Sequence, residues 1–262
     1  MKIAVCLKQV PDTVDLQLDP ETNTLLREGV QAVLNPLDAF PLEAGLRLRE
    51  RTGGTVTAFS MGPPMAVQVL RKAVAMGVDD GVLLSDRAFA GADTWATSLA
   101  LARALAKFGP FDLILCGKQA VDGDTAQVGP GIAAHLGLPQ ATYVTGIEVL
   151  EAKCLRLQRL FESGTAVLQA ACPILLTVLK QANEPRLPNL AGRRRSLAFR
   201  PKTVTAADLE LAPEEVGLAG SPTRVVHVAS PERRRGHLRI EGEPAACSRQ
   251  LREQLAAWGF AE

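Results

Sequence analysis

From Lys2 to about Lys180 the chain alternates short runs of β-branched and leucine-rich residues with longer stretches of helical periodicity. No other feature restricts the fold as much. A strand that is apolar at every position, rather than at every second one, is buried on both faces. Joining such strands through helices gives a parallel sheet covered on both sides. The buried strands are expected at Lys2–Leu7, Thr55–Phe59, Gly81–Leu84, Phe111–Cys116 and Ile174–Leu179. Between them, helical patterns run over Pro63–Met76, Asp93–Lys107 and a stretch ending at Ala133–Leu136. A further helix opens at Asn35-Pro36, with asparagine as cap and proline in the first turn.

Two segments break this rhythm. Leu16–Leu18 and Thr24–Leu26 flank Asp19-Pro20-Glu21-Thr22-Asn23 and read as a hairpin. Strict alternation returns at Ala141–Leu150, Leu155–Phe161 and Ala166–Ala170, an antiparallel excursion. The expected class is therefore α/β, a doubly wound and mostly parallel sheet with that excursion attached.

The character changes after Lys180. Residues 186–202 hold Arg186, Arg193, Arg194, Arg195, Arg200 and Lys202 with no acid, and prolines recur from Pro201 onward. Residues 1–200 are expected to form the α/β domain, and 201–262 an extended C-terminal arm closing with a helix near Leu251–Trp258. Such an arm has little core of its own and gains order by docking on another surface.

Charge and cysteine usage exclude several functions. The chain has 29 basic and 28 acidic residues among 262, a net charge of +1, which disfavours a globally basic nucleic-acid binder. Five dispersed cysteines form no CxxC pair, and three scattered histidines no HExxH, so no metal site is expected. No apolar run is long enough for a membrane span, and a soluble cytoplasmic protein is expected.

The richest chemistry follows Cys116, in the run Gly117-Lys118-Gln119-Ala120-Val121-Asp122-Gly123-Asp124-Thr125-Ala126-Gln127-Val128-Gly129-Pro130. In open α/β sheets ligands sit beyond the carboxyl ends of strands, where free helix amides favour phosphate oxygens. Asp124 or Thr125 would cap the next helix, and Thr125 and Gln127 would reach a diphosphate or ribose. Gly123 and Gly129 allow close backbone approach. A plain capped turn gives the same signal. Asp122 and Asp124 read as solvated acids rather than magnesium ligands, and Cys116 as a packed thiol rather than a nucleophile. No P-loop, GxGxxG, pyrophosphatase loop or nucleophile elbow is present, so the spacing gives a nucleotide-binding α/β protein without catalytic residues.

Five segments in order carry a resemblance. They are Ile3-Ala4-Val5-Cys6-Leu7-Lys8-Gln9-Val10-Pro11-Asp12, Asn35-Pro36-Leu37-Asp38, Ser60-Met61-Gly62-Pro63, Gly117-Lys118-Gln119-Ala120-Val121-Asp122, and Asn183-Glu184-Pro185-Arg186 before Leu187-Pro188-Asn189. With them the chain resembles the beta subunit of electron-transferring flavoprotein. The resemblance implies an adenine nucleotide alpha hydrolase-like fold and a heterodimer with an alpha subunit, whose FAD carries electrons. Donors would be dehydrogenases or NADH; acceptors would be a quinone oxidoreductase, ferredoxin or flavodoxin. It implies nucleotide contacts at Cys6, Asn35 to Asp38, Met61 and the run Gly117 through Val128, and partner docking through Leu187.

In the common respiratory type of that family the nucleotide is AMP, and the loop resembles Asp-Asp-Asp followed by Gln-Thr-Gly. Here the loop reads Asp122-Gly123-Asp124-Thr125-Ala126-Gln127, similar to the group that binds a second FAD, which includes nitrogen-fixation-associated and electron-bifurcating members. FAD is therefore the expected nucleotide. A structural AMP, with all redox chemistry on the alpha subunit, is the alternative, and an adenylating enzyme on the same scaffold a third.

Overall fold

A computed structural model describes residues 1–12, 32–151, 153–226 and 239–260. The hairpin expected around Leu16–Leu26 lies outside the described residues. The chain divides into two compact units, Met1–Val226 and His227–Glu262.

The first unit is built on β1 (Lys2–Cys6), β2 (Gln9–Pro11), β3 (Ala32–Leu34), α1 (Ala39–Thr52), β4 (Thr55–Met61), α2 (Val67–Met76), β5 (Asp80–Leu84) and α3 (Thr94–Phe108). It continues with β6 (Leu113–Gly117), α4 (Val128–Leu136), β7 (Gln140–Glu151), β8 (Cys154–Phe161), β9 (Gly164–Ala171), β10 (Ile174–Val178), α5 (Leu190–Ala198) and β11 (Lys202–Val204). Nine of these strands form one sheet in the order β11-β5-β4-β1-β6-β10-β7-β8-β9. β1 lies at its heart, parallel to β4 on one side and β6 on the other, with Val5 opposite both Ala58 and Leu115.

The apolar runs are buried on both faces, as their composition requires. Ile3 and Val5 pack with Leu42, Leu46 and Leu70 of α1 and α2. Ala4 and Cys6 face the opposite layer, with Leu101, Leu105 and Ile132 of α3 and α4. The chain winds outward from β1 through β4 to β5, then crosses back to β6. That reversal opens a crevice beyond the carboxyl ends of β1 and β6.

The antiparallel excursion begins inside β7. Its first residues pair in parallel with β10, Leu176 opposite Ala141; the register then shifts and β7 runs on as a ribbon with β8 and β9. At the shift Tyr143 takes φ +58°, and its N–H donates to Thr177 Oγ1 at 3.0 Å.

One expectation changes, and one element is added. Residues 202–216, assigned from sequence to the arm, belong with the first unit: β11 pairs in parallel with β5, and Val204, Leu209, Leu211 and Val216 join the core on the α3–α4 side. Residues 190–198, given no element from the sequence, form α5. In the second unit α6 (Pro244–Ala257) is the closing helix, starting several residues before Leu251.

Candidate functional site

The turn before α1 and the loop after β6 are both tied directly to the exit of β1. The β2–β3 pairing returns the chain so that Asn35 N–H donates to the Lys8 carbonyl at 2.9 Å. A short 3-10 turn at Pro36–Asp38 follows, ahead of α1. Asp38 is buried, and its Oδ2 accepts the Lys8 N–H at 2.7 Å. Burial pushes the Asp38 carboxyl up to about 7, against the opposing pull of the Lys8 amide, Asn35 and the Lys8 charge.

Asn35 does not cap the helix, contrary to the expectation from the Asn-Pro pair. Its side chain instead spans the crevice. Nδ2 donates to the Gln119 carbonyl at 2.9 Å, and Oδ1 accepts the Val121 N–H at 3.3 Å. A fully buried amide is thereby satisfied, and the loop after β6 is fixed to the turn before α1.

Gly117 makes that approach possible. A Cβ there would stand 2.3 Å from Asp38 Oδ1 and 3.0 Å from the Leu37 carbonyl. Beyond it the loop is held by the Asp124 N–H to Ala120 carbonyl bond of 2.9 Å, the Gln119–Asp124 side-chain contact, and an ion pair of 2.7 Å between Lys8 Nζ and Asp122 Oδ1. Val121 to Thr125 are exposed. Asp124 and Ala126 both adopt positive φ, +52° and +57°. Strained non-glycine residues in such density gather at functional loops.

The expected capping by Asp124 or Thr125 does not occur, because α4 starts only at Val128, with Gln127 ahead of it and no side-chain cap. The amides of Val128 and Gly129 open the helix and have no intrahelical carbonyl to meet. Gly129 is seated against β10, where a Cβ would meet Thr177 Cγ2 at 2.8 Å. At Gly123, by contrast, a Cβ would meet, among the described residues, only Lys8 Nζ, 4.0 Å away. That position looks into open space.

Cys6 ends β1 and Cys116 stands one residue before the end of β6, both buried. A hydrogen bond to Cys6 together with burial holds the Cys116 thiol well above its ordinary range, in keeping with a packed thiol rather than a nucleophile. Met61 ends β4, and its neighbour Gly62 donates to the Leu84 carbonyl at 3.0 Å. Cys6, Met61, Asn35 to Asp38 and the 117–128 loop thus all belong to the same end of the sheet. Lys8 is the member that sequence reading left out. Its signal was a lone cation two residues past Cys6 at the exit of an apolar strand.

Leu187 lies elsewhere, on the α1–α2 side, and is 88% exposed. Its base is pinned by Asn183, which donates to the Phe40 carbonyl at 2.9 Å, and by Arg186, which binds Glu43 at 2.8 Å and also Glu50. Asn189 caps α5 through the Gly192 N–H, and Arg195 donates to the Val74 and Val78 carbonyls at 2.9 and 2.8 Å. Leu190 and Leu197 of α5 point outward. Among the described residues no cluster of three or more metal-ligating side chains occurs, and no helix is long and apolar enough to cross a membrane.

Comparison with known proteins gives a consistent set of relatives. The family model described as "Electron transfer flavoprotein domain" matches residues 22–210. The chain is 46% identical to "Electron transfer flavoprotein subunit beta" of Thermoanaerobacterium thermosaccharolyticum over 97% of its own length and 98% of that protein's. It is 46% identical to "Caffeyl-CoA reductase-Etf complex subunit CarD" of Acetobacterium woodii, covering 92% of each chain. Similarity to "Protein FixA" of Azorhizobium caulinodans is 46% over 89% of this chain and 86% of that one.

Proposed function

Because the chain belongs to the electron transfer flavoprotein family, as a beta subunit of it, we propose that the crevice at the ends of β1 and β6 holds a nucleotide, and that this nucleotide is FAD. A beta subunit of this family works beside an alpha subunit in electron transfer. The observation that carries the site is the close seating of Asp38 and Leu37 on Gly117, which draws loops distant in sequence into one cradle. The open space beside Gly123 favours the bulkier nucleotide: an aspartate there, as in the AMP-type pattern, would add bulk and negative charge.

Each residue has a task in that reading. Asn35 clamps the loop, Asp38 fixes the Lys8 backbone, and the Val128 and Gly129 amides are available to phosphate oxygens. Cys6 and Met61 give the floor its apolar surface. A flavin held there supplies electron transfer, and the surrounding protein groups bind and orient it.

Leu187 is proposed to dock the electron donor, a dehydrogenase, while NADH would act at the flavin if the complex bifurcates electrons towards ferredoxin or flavodoxin rather than serving a quinone oxidoreductase. The exposed Leu251, Trp258 and Phe260 of the second unit suit contact with the alpha subunit. The deciding experiment is to co-express the chain with its alpha subunit, denature the purified complex and identify the released nucleotides by chromatography and mass. Two FAD per heterodimer support the proposal. One FAD with one AMP would make this subunit a structural nucleotide holder.

A further inference from the structure

Around the 117–128 loop the described residues include three carboxylates, Asp38, Asp122 and Asp124, and two ammonium groups, Lys8 and Lys118. A phosphate ester adds still more negative charge, so the placement of the two cations decides whether it is accepted. Lys118 lies over the Tyr143 ring, 5.7 Å from its centroid. Lys8 is placed differently: among the described residues, chain neighbours aside, its Nζ is the one heavy atom within 4 Å of where a Cβ at Gly123 would stand.

We infer that Lys8 is the cation that takes the 5′-phosphate of an adenosine nucleotide in this crevice, and that Asp122 holds its ammonium group in position until the phosphate arrives. The inference rests on the proposal that a nucleotide occupies the crevice. Lys8 is preset at its backbone, where the N–H is bound by Asp38 Oδ2 at 2.7 Å and the carbonyl accepts the Asn35 N–H at 2.9 Å. Only its side chain has freedom. The Lys8–Asp122 pair is substantially solvated, with side-chain exposures of 47% and 22%. Pairs of this kind are worth about 0–1 kcal/mol. A phosphate offers the same ammonium a charge-assisted hydrogen bond to a group of higher charge, and so can displace the carboxylate.

The roles of Lys8 and Asp122 are therefore opposed, and opposition separates this reading from a simple latch. The 5′-phosphate could come from FAD or from AMP, so both are used. Titrations are made calorimetrically on the heterodimer freed of nucleotide, with AMP, FAD and adenosine as probes. Lys8→Met is expected to weaken AMP and FAD by about tenfold, equivalent to about 1.4 kcal/mol, while leaving adenosine within about twofold. Asp122→Asn is expected to tighten AMP and FAD by a few-fold and again to leave adenosine unmoved. Lys8→Arg should recover most of the phosphate-dependent affinity. A comparable loss for adenosine and AMP in both Lys8→Met and Asp122→Asn would mean that the pair only braces the loop, and would overturn the inference while sparing the site. No binding of any probe to the wild-type heterodimer would overturn both. A preference for FAD over AMP in the wild-type heterodimer identifies FAD as the source, and the same ratio is expected in Lys8→Met, since the shared phosphate contribution cancels.

Discussion

β6 and β10 are neighbours, parallel and buried alike, yet the segments that leave their carboxyl ends do opposite things. The exit of β6 folds onto the sheet, ties its backbone to Asn35 and its Asp122 side chain to Lys8, and turns its polar groups around a space. The exit of β10 crosses to the α1–α2 side, is anchored by Asn183 and Arg186, and carries Leu187, Leu190 and Leu197 into solvent. α5 is inverted relative to an ordinary surface helix: Gly192 and Arg195 face the protein, and leucines face out. The proposed nucleotide site and the proposed docking site thus differ in which groups the scaffold satisfies. The first keeps polar atoms in reserve within a bent loop; the second keeps apolar side chains in reserve on a braced one.

The largest effects are expected from two glycine substitutions that separate these regions. In Gly117→Ala the new methyl would collide with Asp38 Oδ1 and crowd the Leu37 carbonyl, so the turn before α1 must move. Overpacking of this kind costs about 2–3 kcal/mol, and the bound nucleotide should be lost on gel filtration. In Gly192→Ala the methyl would stand 2.1 Å from the Ala75 carbonyl oxygen, forcing α5 away from α2. That variant should keep its nucleotide and lose electron transfer from the donor. Nucleotide loss in Gly192→Ala, or donor loss without nucleotide loss in Gly117→Ala, would erase the distinction.

A comparable effect, confined to a pH window, is expected at Asp38. Its folded-state carboxyl titrates near 7, well above the unfolded value, because burial disfavours the charge. The folded chain therefore holds this proton more tightly than the unfolded one. The stability linked to it is fully present below pH about 4 and is lost as pH rises through about 7. Asp38→Asn should remove that decline, on the order of a few kcal/mol, as read by urea unfolding at pH 5 and pH 8. Glu43, Glu50 and Asp112 are held below their ordinary values, so their contributions are lost on the acid side and do not overlap this window.

The same contrast explains what the sequence discloses. β1, β6 and β10 are legible because burial on both faces leaves every residue apolar. The 117–128 loop is legible as a candidate site from its position after such a strand, and the structure brings it against Asn35 and Asp38. The role of Asn35 is not, because its partners Gln119 and Val121 lie 84 and 86 residues away while the Asn-Pro signal is local. α5 escapes for the reverse reason: with leucines outward and arginine inward, it has no apolar face to the core for periodicity to detect. β11 is three residues long and is recognisable only by the β5 edge that receives it.

A smaller effect is expected at the anchor of the docking segment. Glu43 is almost fully buried; burial alone would raise its carboxyl, but Arg186 and Arg47 outweigh that and hold it low. Arg186→Met leaves Arg47 as the remaining partner. Because Arg186 is itself 31% exposed, a loss of about 1–3 kcal/mol is expected in urea unfolding, smaller than for a fully buried pair. The loss should shrink as pH falls through the lowered Glu43 value, since protonation removes the charge left behind.

The smallest effect on the fold, and the most selective one on function, is expected at Leu187. Its side chain is nearly all in solvent, so Leu187→Ala removes no core contact and should leave the unfolding midpoint unchanged. In a complex the same side chain would be desolvated at the centre of a contact, where an apolar anchor is worth about 1–2 kcal/mol. The apparent KM for the donor dehydrogenase should then rise about tenfold, with nucleotide content and kcat unaltered. Arg186→Met, which loosens the anchor without touching Leu187, should raise the same KM by less. If Leu187→Ala leaves KM unchanged while Arg186→Met raises it, the docking surface lies along Leu190 and Leu197 of α5 rather than at the loop before it.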